Sequence, residues 1–283
     1  MKHLRIALVL AVALAVPSAR AADYPEGAKN KFQFELGGAW DSFDTEASLA
    51  ATRGGVANAG ATIDFEKLLD IPVMEKHVRL RGQWRFSKVS YVEASYESIA
   101  REGRRVIDKE LVWGDATYAA GGELDGKFDS QEIYVGYRFD MFRADNVKVG
   151  ATIGFSSWSI DTSLSGSGYV TKPDGTTQSG SFIEKGFDIS APVPVIGIAV
   201  DGAISKDVLF NFYVRALFLR LDEVAGGTLS GGINAKWYIT KHFGVGGGVD
   251  LSTIKIKDYE KDDKLFSASY SFAGPRIFLV ASF

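Results

Sequence analysis

Residues 275–283 read Pro-Arg-Ile-Phe-Leu-Val-Ala-Ser-Phe, and this stretch decides the fold. Ile277, Leu279, Ala281 and Phe283 stand at every second position, so they share one face of a β-strand. An apolar alternation that closes on an aromatic residue is typical of the last strand of a membrane-spanning β-barrel, in which every second side chain faces lipid. The stretch therefore predicts an all-β protein that crosses a membrane with strands.

The beginning of the sequence carries the pattern of an export signal. Lys2 and Arg5 are basic, residues 6–16 form an unbroken apolar run, and Ala19-Arg20-Ala21 is a small-x-small cleavage site. The apolar run is too short for a transmembrane helix. We expect residues 1–21 to be a cleaved signal peptide, and residues 22–283 to form one β-barrel domain in the outer membrane of a Gram-negative cell.

The composition excludes several classes of function. The chain has no cysteine, which rules out zinc–thiolate sites and cysteine nucleophiles. Its formal net charge of −3 argues against a nucleic-acid partner, because such proteins concentrate positive charge. No cofactor is expected. A soluble periplasmic β-sandwich remains the alternative fold, although it explains the apolar alternation less well.

Nine further segments are predicted to be strands, and the clearest alternation is in residues 78–86. Val78, Leu80, Gly82, Trp84 and Phe86 share one face, while Arg79, Arg81 and Arg85 lie on the other. Arginines at such spacing cannot face hydrocarbon, so they must point into a polar interior. The remaining segments are 32–41, 92–97, 133–139, 147–155, 196–204, 208–221, 233–239 and 245–251. We therefore expect a closed antiparallel barrel of about ten strands, with eight or twelve as alternatives.

The lengths of the links between segments predict the orientation. Short links fall at 87–88, 142–146, 206–207 and 241–242, and long loops at 43–76, 106–122, 164–180 and 258–264. Short turns of such barrels are periplasmic and long loops are extracellular. The apolar phase slips after Phe155 and again before Ile277. We expect a β-bulge at Gly274-Pro275, together with strand ends that rise above the bilayer.

Four segments carry a resemblance to a known group of proteins. They are Gly60-Ala-Thr-Ile-Asp-Phe-Glu-Lys-Leu-Leu, Val78-Arg-Leu-Arg-Gly-Gln-Trp-Arg-Phe, Ala191-Pro-Val-Pro-Val-Ile-Gly and Lys236-Trp-Tyr-Ile-Thr-Lys-His-Phe-Gly-Val-Gly. They resemble an uncharacterised family of small proteobacterial outer-membrane β-barrel proteins, similar more broadly to OmpA-type and OmpW-type barrels. The resemblance implies a membrane barrel and no particular activity.

Charged residues on the inward faces form the main candidate site. The predicted lumen network comprises Arg79, Arg81, Arg85, Glu93, Glu97, Arg138, Asp201, Lys236, Asp250 and Arg276. In a narrow barrel these charges either lock into pairs that close the lumen or line a narrow pore that selects solutes. The strand that carries Arg81 neighbours the strand that carries Glu93 and Glu97, so we expect cross-strand ion pairs there.

The first hypothesis is a non-enzymatic barrel with a plugged or narrow charged lumen and a structural or surface-interaction role. The alternative is a channel for small solutes or hydrophobic compounds, of OmpW type. The segment 208–221 is apolar on both faces, and its candidates for an apolar conduit are Leu209, Tyr213, Leu217 and Leu219. A rim hydrolase using His77, with Glu75 or Asp70 close in sequence, is a remote third possibility.

Three partners are expected, all in the cell envelope. Arg101, Arg104 and Arg105 lie where a strand leaves the outer leaflet, and arginine suits the phosphates of lipopolysaccharide. Phe283 is expected to be the signal that the barrel-assembly machinery recognises. Outer-membrane lipid surrounds the barrel, and we expect a monomer.

Overall fold

The computed structural model of the protein describes residues 23–53, 56–57, 62–113, 116–171, 176–221, 224–261 and 264–283. The predicted signal peptide, residues 1–21, lies outside the described residues. A 3₁₀ turn at Glu26–Lys29 and one helical turn, α1, at Phe65–Leu68 accompany the strands. In the part of the chain that is described, no helix is long and apolar enough to cross a membrane.

Ten long strands build the structure. They are β1 Phe32–Arg53, β4 Met74–Arg85, β5 Ser90–Val106, β8 Glu123–Arg143, β9 Val147–Thr171, β10 Thr177–Ala203, β11 Val208–Leu221, β12 Val224–Tyr238, β13 Phe243–Lys261 and β14 Lys264–Ser282. Four short strands lie in the connections, namely β2 Val56–Ala57, β3 Thr62–Asp64, β6 Leu111–Trp113 and β7 Ala116–Tyr118.

The ten long strands form a closed antiparallel ring. Each pairs with its neighbours along the chain, and β14 returns to pair with β1. Phe32 and Phe283 exchange two backbone hydrogen bonds of 2.8 Å at this seam. Closure matters because an open sheet edge in lipid would leave backbone groups unpaired, at several kcal/mol each. The prediction of a closed barrel of about ten strands is confirmed.

A belt of apolar side chains surrounds the half of the barrel that carries the short turns. On β8, Ile133, Val135, Tyr137, Phe139 and Met141 all point outward and are exposed. Such a stretch has the ~9–11 residues that a tilted strand needs to cross hydrocarbon. The belt is the membrane-spanning zone, and it places the protein in the outer membrane with its short turns on the periplasmic side.

The pattern of polarity inverts above the belt. On β9 the outward residues change from Ile153 and Phe155 to Ser157 and Ser159, while Trp158 becomes buried inside. The outer face there meets water instead of lipid, so apolar side chains turn into the interior. The barrel thus continues beyond the membrane as a water-soluble barrel with an apolar core.

This inversion explains the phase slips, and the expected bulge at Gly274-Pro275 is wrong. β13 and β14 pair without interruption there, with Val249 opposite Pro275 and Asp250 opposite Gly274. The long loops predicted at 164–180 and 258–264 are also wrong, because β9, β10, β13 and β14 extend through most of them. Polar outward residues had made these strand ends look like loops.

The connection between β1 and β4 folds back into the extracellular core. Phe65 of α1 packs edge-on against Phe128 at 5.6 Å between ring centroids, and Leu69 and Ile71 are fully buried. Gly103 faces the backbone of this connection, where a side chain would collide with it. We call residues 62–73 the inserted segment, because they fill the outer end of the barrel.

Candidate functional site

Arg79 is the centre of a buried ion-pair network in the membrane-spanning lumen. Its Nε lies 3.0 Å from Oε2 of Glu97, which stands directly opposite on β5. Its terminal nitrogen lies 2.5 Å from Oδ2 of Asp250, and Nε of Arg276 reaches the same carboxylate oxygen at 2.7 Å. Four of the predicted lumen residues, on four different strands, are thus in contact across the width of the barrel.

Two further groups of charges lie closer to the periplasm. Nζ of Lys236 lies 2.6 Å from Oε1 of Glu35, and a terminal nitrogen of Arg276 lies 3.8 Å from Oε2 of the same carboxylate. On the other side of the lumen, Arg138 contacts Asp201 at 2.8 Å. Arg138 also contacts Asp140 at 2.9 Å. Because buried charge is costly unless it is paired and hydrogen-bonded, this density of pairs holds the wall side chains in fixed positions.

The cross-strand ion pair expected between β4 and β5 is made by Arg79 with Glu97, and Arg81 pairs with neither Glu93 nor Glu97. The register places Arg81 opposite Ser95, and its guanidinium lies over the Tyr213 ring at 4.6 Å. Among the described residues, no carboxylate lies within ion-pair distance of Arg81. The register, which a shift of two residues would change, therefore decides which arginine of β4 takes the Glu97 carboxylate.

The ion-pair partner of Glu93 is Arg215, at 2.9 Å, a residue that is absent from the predicted lumen network. Arg215 belongs to β11. Because the sequence of this strand is apolar on both faces, it does not indicate that the side chain of Arg215 points inward. It also covers the Tyr134 ring at 3.7 Å. The signal that could have found it is the rule that an arginine at membrane depth faces the interior.

Arg215 and Asn211 also contradict the apolar conduit expected along β11. Both alternate with Leu209 and Tyr213 on the buried inner face, so the lining of the lumen there is polar. Leu217 is only half-buried, and the side chain of Leu219 lies outside the described residues. No continuous apolar path follows this strand through the described part of the lumen.

His77 lies inside the barrel and not at an accessible rim. Its Nε2 is 3.4 Å from Asp41 and 3.7 Å from Glu97, and the edge of its ring meets Phe272 at 6.4 Å between centroids. Its side chain is only 3% exposed. Glu75 and Asp70 are not its partners, and the buried position gives a substrate at the cell surface no route to the imidazole.

An aromatic cluster closes the lumen above His77. The rings of Phe43, Phe128, Trp158 and Phe272 surround Tyr270, with centroid distances from 4.9 to 6.2 Å. This cluster lies above the membrane belt, and burial raises the pKa of the Tyr270 hydroxyl far above its ordinary value. The inserted segment covers the cluster from outside.

Arg101 packs against this aromatic cluster inside the barrel, so its predicted contact with lipopolysaccharide is wrong. Its side chain points inward, is fully buried, and donates hydrogen bonds to Glu66 of α1 at 2.6 Å and to Thr45 at 2.5 Å. Its guanidinium also lies 4.3 Å from the centre of the Phe43 ring. The inversion of polarity above the belt is the reason: the inner face there is a core and not a rim.

Arg104 and Arg105 lie nearer the surface, and each already has acidic partners. Arg104 donates to Asp125 and lies 3.5 Å from Glu123. Arg105 lies 3.3 Å from Asp70 and donates to the carbonyl of Lys67 at 2.6 Å. Contact of these two arginines with lipopolysaccharide remains a prediction.

The N-terminal segment closes the periplasmic mouth. Tyr24 is buried there, and its hydroxyl donates to the carbonyl of Asp201 at 2.8 Å. Gly27 lies against the Tyr238 ring. Between the two closures, a polar cavity of about 50 Å³ remains, enough for one or two waters at about 30 Å³ each. In the described part of the chain, no group of acidic or histidine side chains is arranged to hold a metal ion.

The chain is similar to known proteins in its fold but not in its sequence. No protein-family model matches the chain, and no curated sequence is similar to it. Among solved structures, the outer-membrane protease OmpT from Escherichia coli superposes with a TM-score of 0.52 at 10% identity, over 89% of this chain and 97% of that chain. The toluene transporter TodX of P. putida has a TM-score of 0.36 at 6% identity, over 94% of both chains.

A third similar structure is the outer-membrane protein OprG from Pseudomonas aeruginosa, with a TM-score of 0.34 at 9% identity, over 90% of this chain and 97% of that chain. At such identities these structures bear on the fold alone. The superposition on OmpT, the closed ring and the apolar belt together define the chain as a β-barrel protein of the outer-membrane type.

Proposed function

We propose that this protein is a non-enzymatic outer-membrane barrel with a closed lumen, which serves as a rigid base for its extracellular sheet in a structural or surface-interaction role. The observation that carries this proposal is the filling of the interior. In the described part of the lumen, paired charges, an aromatic cluster and the N-terminal segment surround a cavity of about 50 Å³. A solute would have to displace several of these groups to pass.

The shape of the outer half supports a surface role. β9 and β10 contain 25 and 27 residues, far more than the ~9–11 that a membrane crossing needs. The outward residues of this extension are polar, as Ser157, Ser159 and Asp161 illustrate. A stiff sheet with its own apolar core presents such a surface in a fixed orientation, which lowers the entropic cost of binding a partner.

Single-channel recording in planar bilayers tests the closed lumen. The purified barrel is expected to give no current steps above the lipid baseline, whereas a general porin reconstituted in parallel gives steps. Reproducible steps that change their ion selectivity in Arg79→Gln would support the channel alternative and overturn the proposal.

The enzymatic alternative is tested separately. His77→Ala is expected to leave the composition of envelope lipids and the digestion of peptides at the cell surface unchanged, because His77 is enclosed. A loss of lipid modification or of peptide cleavage would require an enzymatic role.

The envelope partners also belong to the proposal. Recognition by the barrel-assembly machinery is assigned to Phe283, whose backbone forms part of the seam with Phe32. Deleting Phe283 is expected to lower the amount of barrel inserted in cells. Arg104 and Arg105 are retained as lipopolysaccharide contacts, and the barrel is proposed to act as a monomer.

A further inference from the structure

A cleft at the periplasmic rim concentrates positive charge. It has a volume of about 630 Å³ and lies between the N-terminal segment, the β4–β5 turn and the β8–β9 turn. Two carboxylates, Asp23 and Asp145, line the same cleft. Its cationic residues are Lys29, Lys31, Arg85, Lys88, Arg143 and Lys148. The local charge is therefore strongly positive, in a chain whose formal net charge is −3.

Most of these cations are not neutralised within the protein. Lys29 pairs with Glu26, and Arg143 donates to the carbonyl of Lys88. Among the described residues, Lys31, Arg85, Lys88 and Lys148 have no carboxylate within ion-pair distance. Unpaired like charges held together repel one another, so an anion in the cleft would relieve that repulsion.

Lys148 lies between the cleft and the lumen cavity and lines both of them. The residue is only 5% exposed, yet it lines the cleft. Its ammonium group lies 4.0 Å from the centre of the Tyr24 ring, which places it at the inner wall. A desolvated cation of this kind gains more from a bound anion than a surface lysine does.

The aromatic residues beside the cleft fix its depth in the membrane. Phe32 stacks on Trp84 at 6.2 Å, Trp84 meets Phe86 at 5.5 Å, and Phe86 meets Tyr137 at 6.2 Å, all between ring centroids. Aromatic girdles of this kind lie at the level of the lipid headgroups. Phe86 also lines the cleft, so the cleft borders the aromatic girdle and its cations lie close to the level of the inner-leaflet phosphates.

We propose that this cleft binds the phosphate headgroup of an anionic phospholipid from the inner leaflet, with the acyl chains along the girdle of Phe32, Trp84, Phe86 and Tyr137. The juxtaposition of unpaired cations with a lipid-facing aromatic wall selects a lipid over a free anion, since a soluble phosphate would use only the cations. Each lysine or arginine near an anionic headgroup contributes about 1 kcal/mol to the free energy of binding.

Native mass spectrometry of the purified barrel tests this site. The detergent-solubilised protein is delipidated and titrated with phosphatidylglycerol, with phosphatidylethanolamine and with inorganic phosphate. One phosphatidylglycerol is expected to bind in preference to phosphatidylethanolamine. Millimolar phosphate is expected not to displace it, because the acyl chains add contacts that phosphate lacks.

The variants are chosen to keep the fold. Lys31→Gln with Lys88→Gln removes two exposed, unpaired cations of the cleft and should weaken binding of phosphatidylglycerol about 25-fold, at about 1 kcal/mol per charge. Lys206→Gln with Lys241→Gln removes two exposed cations from other periplasmic turns and serves as the matched control. The control is expected to bind as the wild type does.

Three results would overturn the assignment. They are equal affinity of the two double variants, equal affinity for the two lipids, and displacement of the lipid by phosphate alone. The last would assign the cleft to a soluble anion. None of these results depends on whether the lumen conducts, so this site and the proposed function can fail independently.

Discussion

Replacing Arg101 with methionine tests whether the extracellular half is a packed core that a buried ion pair holds together. The guanidinium is enclosed and is bound to Glu66 and Thr45. Removing one partner of a buried pair leaves the other charge unpaired, at a cost of about 3–5 kcal/mol. Methionine keeps the length and apolar bulk of the side chain, so little cavity is created. Glu66 can move toward water with the inserted segment, which favours the lower limit, about 3 kcal/mol.

The loss is measured by urea unfolding of the barrel folded into lipid vesicles, as a double-mutant cycle with Glu66→Gln. If the pair is the source of the loss, the two substitutions are expected to be non-additive by about 1.5 kcal/mol or more. Hydrogen exchange should accelerate in the inserted segment, residues 62–73, and stay slow in the membrane part of β8. The control is Arg104→Met, which removes an exposed pair and should cost about 0–1 kcal/mol.

Two results would refute this reasoning. One is a free energy of unfolding for Arg101→Met within about 0.5 kcal/mol of the wild type, the spread of ordinary surface substitutions. The other is exchange that accelerates equally over the whole barrel, because the effect would then not begin at the inserted segment. The first result would mean that Arg101 is solvated in the protein in solution, and the second that its ion pair stabilises the barrel as a whole.

Three further predictions follow from the same structure. Arg79→Ala leaves the buried Glu97 without its arginine partner, while Asp250 keeps Arg276, and should lower the free energy of unfolding by about 3–5 kcal/mol in vesicles; a loss below about 1 kcal/mol would contradict the network. Gly103→Ala would place a Cβ 2.7 Å from the backbone nitrogen of Ile71, so we expect a loss of about 1–3 kcal/mol and faster exchange in the inserted segment, whereas the control Gly82→Ala meets only ordinary contacts. Because burial raises the pKa of Tyr270, its contribution to stability is complete below the ordinary tyrosine pKa of about 10 and declines above it. The free energy of unfolding of Tyr270→Phe should therefore fall less steeply than that of the wild type as the pH rises above about 10. If the two free energies fall in parallel with pH, Tyr270 is not buried.

The alternation of apolar and polar residues predicts correctly which side chains point into the lumen within the membrane zone, but not above it. Arg79 and Val78 could be assigned to opposite faces because lipid and lumen impose opposite polarity on neighbouring residues. For Arg101, the sequence predicts a position at the outer rim of the barrel, whereas its side chain is buried inside. Water replaces lipid at that height, so the polarity of the two faces exchanges, and the strand sequence does not mark where this happens.

Charge pairing was predictable as a kind of interaction but not as a set of partners. A strand of arginines beside a strand of glutamates indicated ion pairs, and Arg79 and Glu97 are in contact. Asp250 and Arg276 join them from the far side of the barrel, and Arg215 takes Glu93. These contacts depend on register and on the closure of the ring, which bring together residues more than a hundred positions apart.

The amino-acid sequence alone determined that this protein is a barrel of about ten strands with lipid outside and charge inside, because side chains with a period of two meet opposite solvents on the two faces of a strand. Only the tertiary structure decided that the barrel continues above the membrane and that the N-terminal segment and the inserted segment pack into its two ends. The N-terminal segment and the inserted segment 62–73 enter the barrel from outside the regular strands, and no local pattern encodes where such segments pack.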